Sequence, residues 1–227
     1  MKSISAFVIV ALVLVWRGLP FAAPVTVTFL HTNDIYLIDQ QDGHGGFPKL
    51  MTLLKQERVA NPNAITTFGG DLFSPSVMSG FTKGSQMVEL MDAIGLDYAV
   101  PGNHEFDFGP ETFEQNIKAS PAVWLAANLR RADGNPVPGV LENAIVDIEG
   151  MKIGLFGVIT PETVTLSSGG DAFNFTEPVT TARFQVEKLR SQGADFIVAF
   201  THLDWAEDRG AGGEPAARPD GHLYLSD

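Results

Sequence analysis

The 227-residue chain contains no cysteine. This absence excludes disulfide bonds, zinc sites built from thiolates and catalysis by a cysteine nucleophile. It does not indicate whether the protein works in an oxidising or a reducing compartment, because a chain without thiols tolerates an oxidising environment and does not require one.

Basic residues are also scarce. The 15 Lys and Arg residues stand against 27 Asp and Glu residues, which gives a formal net charge of −12. A chain with this charge and no Lys/Arg run repels polyanions, so a nucleic-acid partner is disfavoured. A small anionic substrate would therefore need a bound metal or a local positive site.

Hydrophobic residues make up 44% of the sequence and charged residues 19%. This balance argues against a disordered chain, because enough apolar surface is available to form a core. The length predicts one ordinary domain or one large α/β layered structure.

The first 23 residues have the pattern of a secretory signal. Lys2 supplies a positive start, residues 4–16 are almost unbroken apolar sequence, and small residues follow up to Ala23. The apolar stretch is shorter than the roughly 20 residues that a membrane-spanning helix needs. We therefore expect export to a periplasmic or extracellular location, with cleavage near Ala22 or Ala23 and no stable membrane insertion afterwards. An uncleaved N-terminal anchor is the alternative.

Short apolar runs alternate with helical periodicity from Pro24 onward, which predicts an α/β layered fold. One stretch breaks the alternation: residues 145–153 carry a turn signal at Glu149 and Gly150, which predicts an antiparallel hairpin. The sheet is therefore not expected to be purely parallel. The predicted strands are 25–31, 64–68, 98–100, 123–126, 152–158 and 196–200, and the predicted helices are 47–58, 85–94, 110–118 and 179–192.

Polar side chains follow four of these strands. Asp34, Asp71, Asn103 and His202 each lie at or just beyond a strand end. Because ligands of open α/β sheets bind beyond the carboxyl ends of strands, we expect these four residues to converge. Carboxylate, amide and imidazole groups form a ligand set suited to Mn²⁺, Zn²⁺, Fe or Mg²⁺. Taken singly, each residue is better explained by local structure, because an Asp after a strand is more often a cap or a turn and a lone His is usually a hydrogen-bonded side chain.

Together these segments resemble the calcineurin-like metallophosphoesterase superfamily, in particular the N-terminal catalytic domain of 5′-nucleotidase-like enzymes. The resemblance implies a layered β-sheet sandwich flanked by helices, within a catalytic domain at residues 24–209. Its most specific motif is residues 102–109 (Gly-Asn-His-Glu-Phe-Asp-Phe-Gly). The other matching segments are residues 31–34, 69–71 with 79–80 downstream, 127–128 and 201–203.

The resemblance also implies roles for individual residues around two divalent metal ions. Asp71 would bridge the two metals, Asp34 would bind the first, and Asn103 with His202 would bind the second. The metals would hold an attacking hydroxide and two phosphoryl oxygens. His104 would stabilise the transition state or protonate the leaving oxygen, and Asp107 would orient His104.

Two of the matching segments have a competing structural interpretation. A helix start at residues 102–105 accounts for Gly102, Asn103 and Glu105 but leaves His104 unexplained. Asn128 could bind the substrate or cap a turn, and the sequence does not separate the two.

The chain departs from the family pattern at two places. Tyr36 stands where the usual Asp-X-His motif has a second ligand of the first metal, and a neutral phenol is a poorer ligand than imidazole. Residues 210–227 have neither helical periodicity nor a strand pattern. The break after Arg209 indicates a shifted reading frame or a truncation, so the fold is expected to be incomplete at the C-terminus. His222 in this tail is a candidate ligand that no rigid strand supports.

The sequence therefore predicts metal-dependent hydrolysis of a phosphomonoester, with a 5′-nucleotide as the first choice of substrate. One alternative is a catalytically impaired, metal-binding remnant of the same fold. The other is a non-enzymatic exported binding domain. If the chain is an enzyme, the expected partner is a small phosphorylated molecule.

Overall fold

The structure is a computed structural model that describes residues 24–40 and 42–203. The predicted signal segment, the predicted tail and His222 lie outside the described residues. The strands are β1 (Thr28–Thr32), β2 (Ala64–Phe68), β3 (Tyr98–Ala99), β4 (Val123–Leu125), β5 (Leu129–Arg131), β6 (Val140–Leu141), β7 (Asn143–Ile148), β8 (Met151–Ile159), β9 (Phe173–Phe175) and β10 (Phe196–His202). The α-helices are α1 (Phe47–Ala60), α2 (Val77–Thr82), α3 (Ser85–Ile94), α4 (Pro110–Ala119), α5 (Thr163–Leu166) and α6 (Pro178–Ser191).

The strands form two main sheets. One is five-stranded and parallel, in the order β1-β2-β3-β4-β6, and the other is three-stranded, in the order β10-β8-β7. A short antiparallel pair, β5-β9, lies apart from both. The predicted α/β layered fold is confirmed.

The predicted hairpin joins β7 to β8 in antiparallel pairing, with Ile148 opposite Met151. Its two turn residues, Glu149 and Gly150, both have positive φ angles, of 53° and 88°. Two consecutive positive φ angles give the turn a twist that matches the flanking strands. The sheet that carries this hairpin is therefore mixed, as the sequence indicated.

The two main sheets pack against each other through an apolar layer. Val100 and Leu125 from the five-stranded side meet Ile153, Leu155 and Phe200 from the other. At one point the backbones themselves touch: the Ala127 N–H donates to the Gly157 carbonyl at 2.7 Å. A Cβ atom on Gly157 would lie 2.1 Å from the Leu125 carbonyl oxygen, so this approach requires glycine.

Helices cover the outer faces of both sheets. α1, α3 and α4 bury Leu54, Met87 and Phe113 in the largest apolar cluster. α6 buries Ala182 and Leu189 against the three-stranded sheet. The result is two inner sheets between two helical layers. Among residues 24–40 and 42–203, no helix has the length and apolar character needed to cross a bilayer.

The topology also determines where polar loops meet. β1, β2 and β3 run parallel, so the segments that follow them leave the sheet at the same edge. β10 runs parallel to β8 in the facing sheet and ends at His202. Both sheets therefore contribute side chains to one region.

Candidate metal and active site

The predicted site residues lie around Asp71, which follows β2 and is only 4% exposed. Asp71 Oδ1 accepts a hydrogen bond from the His104 backbone N–H at 3.0 Å and lies 3.3 Å from His202 Nε2. Its other oxygen, Oδ2, accepts a hydrogen bond from the Tyr36 hydroxyl at 3.1 Å. Residues from four separate segments of the chain thus meet at one carboxylate.

His202 is held in an orientation suited to a metal ligand. Its Nδ1 lies 2.8 Å from the Gly69 carbonyl oxygen, which can only accept, so Nδ1 carries the proton. In the neutral ring Nε2 then bears a lone pair. A backbone carbonyl on the other ring nitrogen is the arrangement that commonly supports metal-bound histidines.

Three electron-pair donors converge at this point. His202 Nε2 lies 3.3 Å from both Asp71 Oδ1 and Asn103 Oδ1. Metal–ligand bonds of about 2.1 Å give separations between neighbouring ligands of about 3.0–3.4 Å. Both separations fit neighbouring ligands of one divalent cation, which would relieve the repulsion between the lone pairs. The third donor is an amide, and no group of three or more His, Cys, Asp and Glu side chains suited to a metal occurs in the described part of the chain.

The first metal position is arranged differently. The Tyr36 hydroxyl donates to Asp34 Oδ1 at 2.8 Å as well as to Asp71. Burial, followed by the hydrogen bond to Asp34 and the charge of Asp71, raises the pKa of Tyr36 well above its usual value. The phenol therefore keeps its proton between the two carboxylates. While the hydroxyl donates to both carboxylates, the first metal position, formed by Asp34, Asp71 and Tyr36, does not fit a cation.

His104 and Asp107 form a close pair beside these donors. His104 Nδ1 lies 2.6 Å from Asp107 Oδ2, and His104 Nε2 lies 4.0 Å from Asp71 Oδ2. Burial lowers the pKa of His104, but the hydrogen bond with Asp107 and the charge of Asp71 outweigh burial, so the pKa is raised overall. Burial raises the pKa of Asp107, but hydrogen bonds with His104 and Ser74 lower it overall. Both shifts favour a proton on His104 Nδ1 that is shared with Asp107, and the other ring nitrogen, Nε2, faces the Asp71 carboxylate.

The backbone at two of the predicted metal ligands is unusual. Asp34 has a φ of 53° and Asp71 a φ of 65°, which puts both residues in the left-handed region. The Asp34 N–H donates to the Gly70 carbonyl at 3.0 Å, so the two loops support each other. Both carboxylates accept a hydrogen bond from the Tyr36 hydroxyl.

The sequence interpretation missed the importance of Glu105. This side chain is 1% exposed and accepts hydrogen bonds from four backbone N–H groups. Burial and the nearby Asp71 carboxylate raise its pKa, while the backbone N–H groups oppose that rise. The available signal in the sequence was an acidic residue directly before an aromatic one, Phe106. In the structure Phe106 is fully buried.

Asn128 does not meet the predicted site through its amide. The residue is fully buried; its Nδ2 donates to the Ile159 and Thr176 carbonyls at 2.7 and 3.1 Å, and its Oδ1 accepts from the Ile159 N–H at 3.0 Å. A substrate group would have to displace these backbone partners. These contacts give Asn128 a structural role, in which the side chain fixes the end of β8, and binding of a substrate by Asn128 stays a prediction.

Replacing Asn128 with alanine is expected to lower the free energy of unfolding by about 3 kcal/mol, because a buried amide loses three hydrogen bonds. Urea denaturation of the full chain measures this loss. Asn174→Ala is the matched control, since its amide also donates to two carbonyls but is exposed; it should change stability by less than about 0.5 kcal/mol. Equal losses in the two variants would contradict the structural role.

The geometry can be compared with known proteins. Residues 27–224 match the calcineurin-like phosphoesterase family. The 5′-nucleotidase of Diplobatis ommata is 30% identical over 206 residues, which are 83% of this chain and 35% of that protein.

Two solved structures share the fold. An NAD nucleotidase from Haemophilus influenzae superposes with a TM-score of 0.75 at 24% identity, over 82% of this chain and 36% of that one. A 5′-nucleotidase precursor from Thermus thermophilus superposes with a TM-score of 0.72 at 26% identity, over 82% of this chain and 39% of that one. The chain spans less than two fifths of the length of these relatives. With the family matched over most of the chain and the same layered sheets in the solved structures, the chain belongs to the calcineurin-like phosphoesterase family, a family of hydrolases.

Proposed function

We propose that this chain hydrolyses a phosphomonoester with the help of divalent metal. One observation carries the proposal: Asp71, Asn103 and His202 converge beside the His104–Asp107 pair. Family membership and the relative named a 5′-nucleotidase support the same reaction class.

The cation that binds earlier would be held by Asp71, Asn103 and His202, the ligands of the second metal in the family pattern. A divalent cation supplies Lewis acidity there, which offsets the charge of the phosphoryl oxygens and lowers the pKa of the attacking water. Asp34 would join a second cation with Asp71 only when the Tyr36 hydroxyl no longer donates to both carboxylates. The two-metal arrangement is thus part of the proposal, and Tyr36 is the residue that opposes it.

His104 would act on the leaving group. Its Nδ1–H is engaged by Asp107, which fixes the ring and favours the protonated form. Nε2–H is then available to stabilise developing charge on the phosphate ester oxygen and to donate its proton as the bond to phosphorus breaks. Asp107 acts through His104 as its positioning residue.

A 5′-nucleotide is the proposed substrate class, because the relative at 30% identity is a 5′-nucleotidase. A net charge of −12 favours a small anion guided by metal over a polyanion. We further propose that the protein is exported, on the pattern of its first 23 residues.

The test is release of inorganic phosphate from nucleoside monophosphates and from nitrophenyl phosphate by the full chain, with Mn²⁺ or Zn²⁺ and after chelation. We expect metal-dependent release that is lost in Asp71→Asn. This change removes the negative charge of Asp71 from the set of proposed ligands formed with Asn103 and His202. Asp92→Asn on the exposed face of α3 is the control and should keep full activity. Release that persists in Asp71→Asn would overturn the proposed site.

A second candidate is a metal-binding remnant of the same fold without efficient turnover. The contacts of Tyr36 with both carboxylates favour it, because they oppose a second cation. Binding of Mn²⁺ by the folded protein without phosphate release would select this candidate over the first.

A further inference from the structure

Glu105 lies between two segments that carry predicted metal ligands. It occupies the third position of a 3₁₀ helix, Asn103–Phe106, directly after Asn103 and His104. Its carboxylate points across to the segment that begins at Asp71. The side chain is buried, so water does not satisfy its oxygens.

The carboxylate accepts two hydrogen bonds on each oxygen. Oε2 accepts from the backbone N–H groups of Asp71 at 2.8 Å and Gly102 at 2.5 Å. Oε1 accepts from those of Leu72 at 2.5 Å and Phe73 at 3.0 Å. An ionised acceptor strengthens each of these bonds relative to a neutral one.

A helix cap explains only part of this arrangement. The Gly102 N–H lies three positions away and belongs to a local cap. The other three N–H groups belong to residues 71–73, more than 30 positions earlier in the chain. Glu105 is therefore a connection between two loops and not merely the start of a helix.

The two loops touch closely at the same point. A Cβ atom on Gly102 would lie 2.2 Å from Asp71 Oδ1 and 2.6 Å from the Asp71 backbone nitrogen. Asp71 is itself in the left-handed conformation, which a carboxylate bound to its N–H helps to hold. The position of the Asp71 oxygens relative to Asn103 thus depends on the link through Glu105.

We infer that Glu105 is a positioning residue that holds Asp71 and Asn103 at metal-binding distance by tying their loops together. The inference rests on the proposed metal site and deepens it. Glu105 itself touches neither metal nor substrate in this role. Its replacement should therefore change metal affinity without removing a ligand.

The experiment is calorimetric titration of the full chain with Mn²⁺, without substrate. Glu105→Gln keeps the size of the side chain but turns an NH₂ group toward backbone N–H groups, which pushes the two loops apart. We expect the Mn²⁺ dissociation constant to rise at least about tenfold, as for other residues that orient metal ligands. Native affinity in Glu105→Gln would overturn the inference.

Leu189→Ala is the control for a general loss of stability. Leu189 is fully buried on α6, in an apolar cluster that contains none of the proposed metal ligands. This variant should lose thermal stability yet keep the native Mn²⁺ affinity within about twofold, because additive effects are expected for distant sites. An equal loss of affinity in Leu189→Ala would mean that any destabilisation weakens the site, which also overturns the inference.

A second measurement covers the case in which Glu105→Gln does not fold. Hydrogen exchange of the native protein should show the N–H groups of Asp71, Leu72, Phe73 and Gly102 protected to a similar degree, since one carboxylate holds all four. Exchange as fast as at the exposed loop residue Gly45 would contradict the link. The titration also separates this inference from the proposed function, because native Mn²⁺ binding that falls in Glu105→Gln supports the link even when no phosphate is released.

Discussion

Replacing His104 with asparagine is expected to lower the rate constant for phosphate release by about 100- to 10,000-fold, the range typical of a lost general acid. The imidazole is the group that would protonate the leaving oxygen. The backbone N–H of residue 104, which donates to Asp71 Oδ1, remains in the variant. Mn²⁺ affinity should therefore stay within about threefold of native. Steady-state kinetics and calorimetry on the same preparation measure the two quantities.

Two further variants test whether the loss is specific. Asp107→Asn should lower the rate constant by a smaller factor than His104→Asn, because the imidazole is still present but is less well oriented and less strongly protonated. His44→Asn removes an exposed histidine from the loop before α1 and should have no effect. A His104 variant with the native rate constant would eliminate His104 as the acid.

Replacing Tyr36 with histidine is expected to allow a second Mn²⁺ ion to bind with an affinity at least about tenfold higher than in the native chain. The phenol now places a proton between Asp34 and Asp71, whereas a neutral imidazole would offer a lone pair to a cation between them. Calorimetric stoichiometry and metal analysis of the purified variant measure the change.

Tyr36→Phe distinguishes the two parts of this effect. It removes the hydroxyl proton without adding a ligand, so its gain in affinity for the second ion should be smaller than that of Tyr36→His. The same number of bound ions and equal affinity in the native protein and in both variants, Tyr36→Phe and Tyr36→His, would show that Tyr36 does not control the first metal position.

Much of the fold could be predicted because it follows local periodicity. The helix at Ser85–Ile94 and the strand at Ala64–Phe68 have the predicted bounds, since apolar spacing defines both. Helix α2 was missed because it has only six residues and exposes Val77 and Phe81, so it has no amphipathic pattern to detect. The β5-β9 pair was missed because it joins short segments over 40 positions apart, and local sequence carries no information about such pairing.

The site could be predicted to the level of which strand ends meet. Asp34, Asp71, Asn103 and His202 follow strands whose directions the alternating pattern already implied. The contacts of Glu105 could not be predicted, because a local helix start explained that residue equally well. Asn128 was left open between two roles, because its burial and its backbone contacts depend on packing from distant segments; these contacts support the structural role.

Asp34 and Asp71 both hold their backbone in the left-handed conformation. Non-glycine residues in this conformation typically raise the energy of the folded state by about 1 kcal/mol or more. Glycine would relieve that strain at either position while deleting a carboxylate. A screen for heat resistance alone would therefore select against the proposed metal ligand at the exposed Asp34, so stabilisation of this scaffold should be selected in the presence of metal.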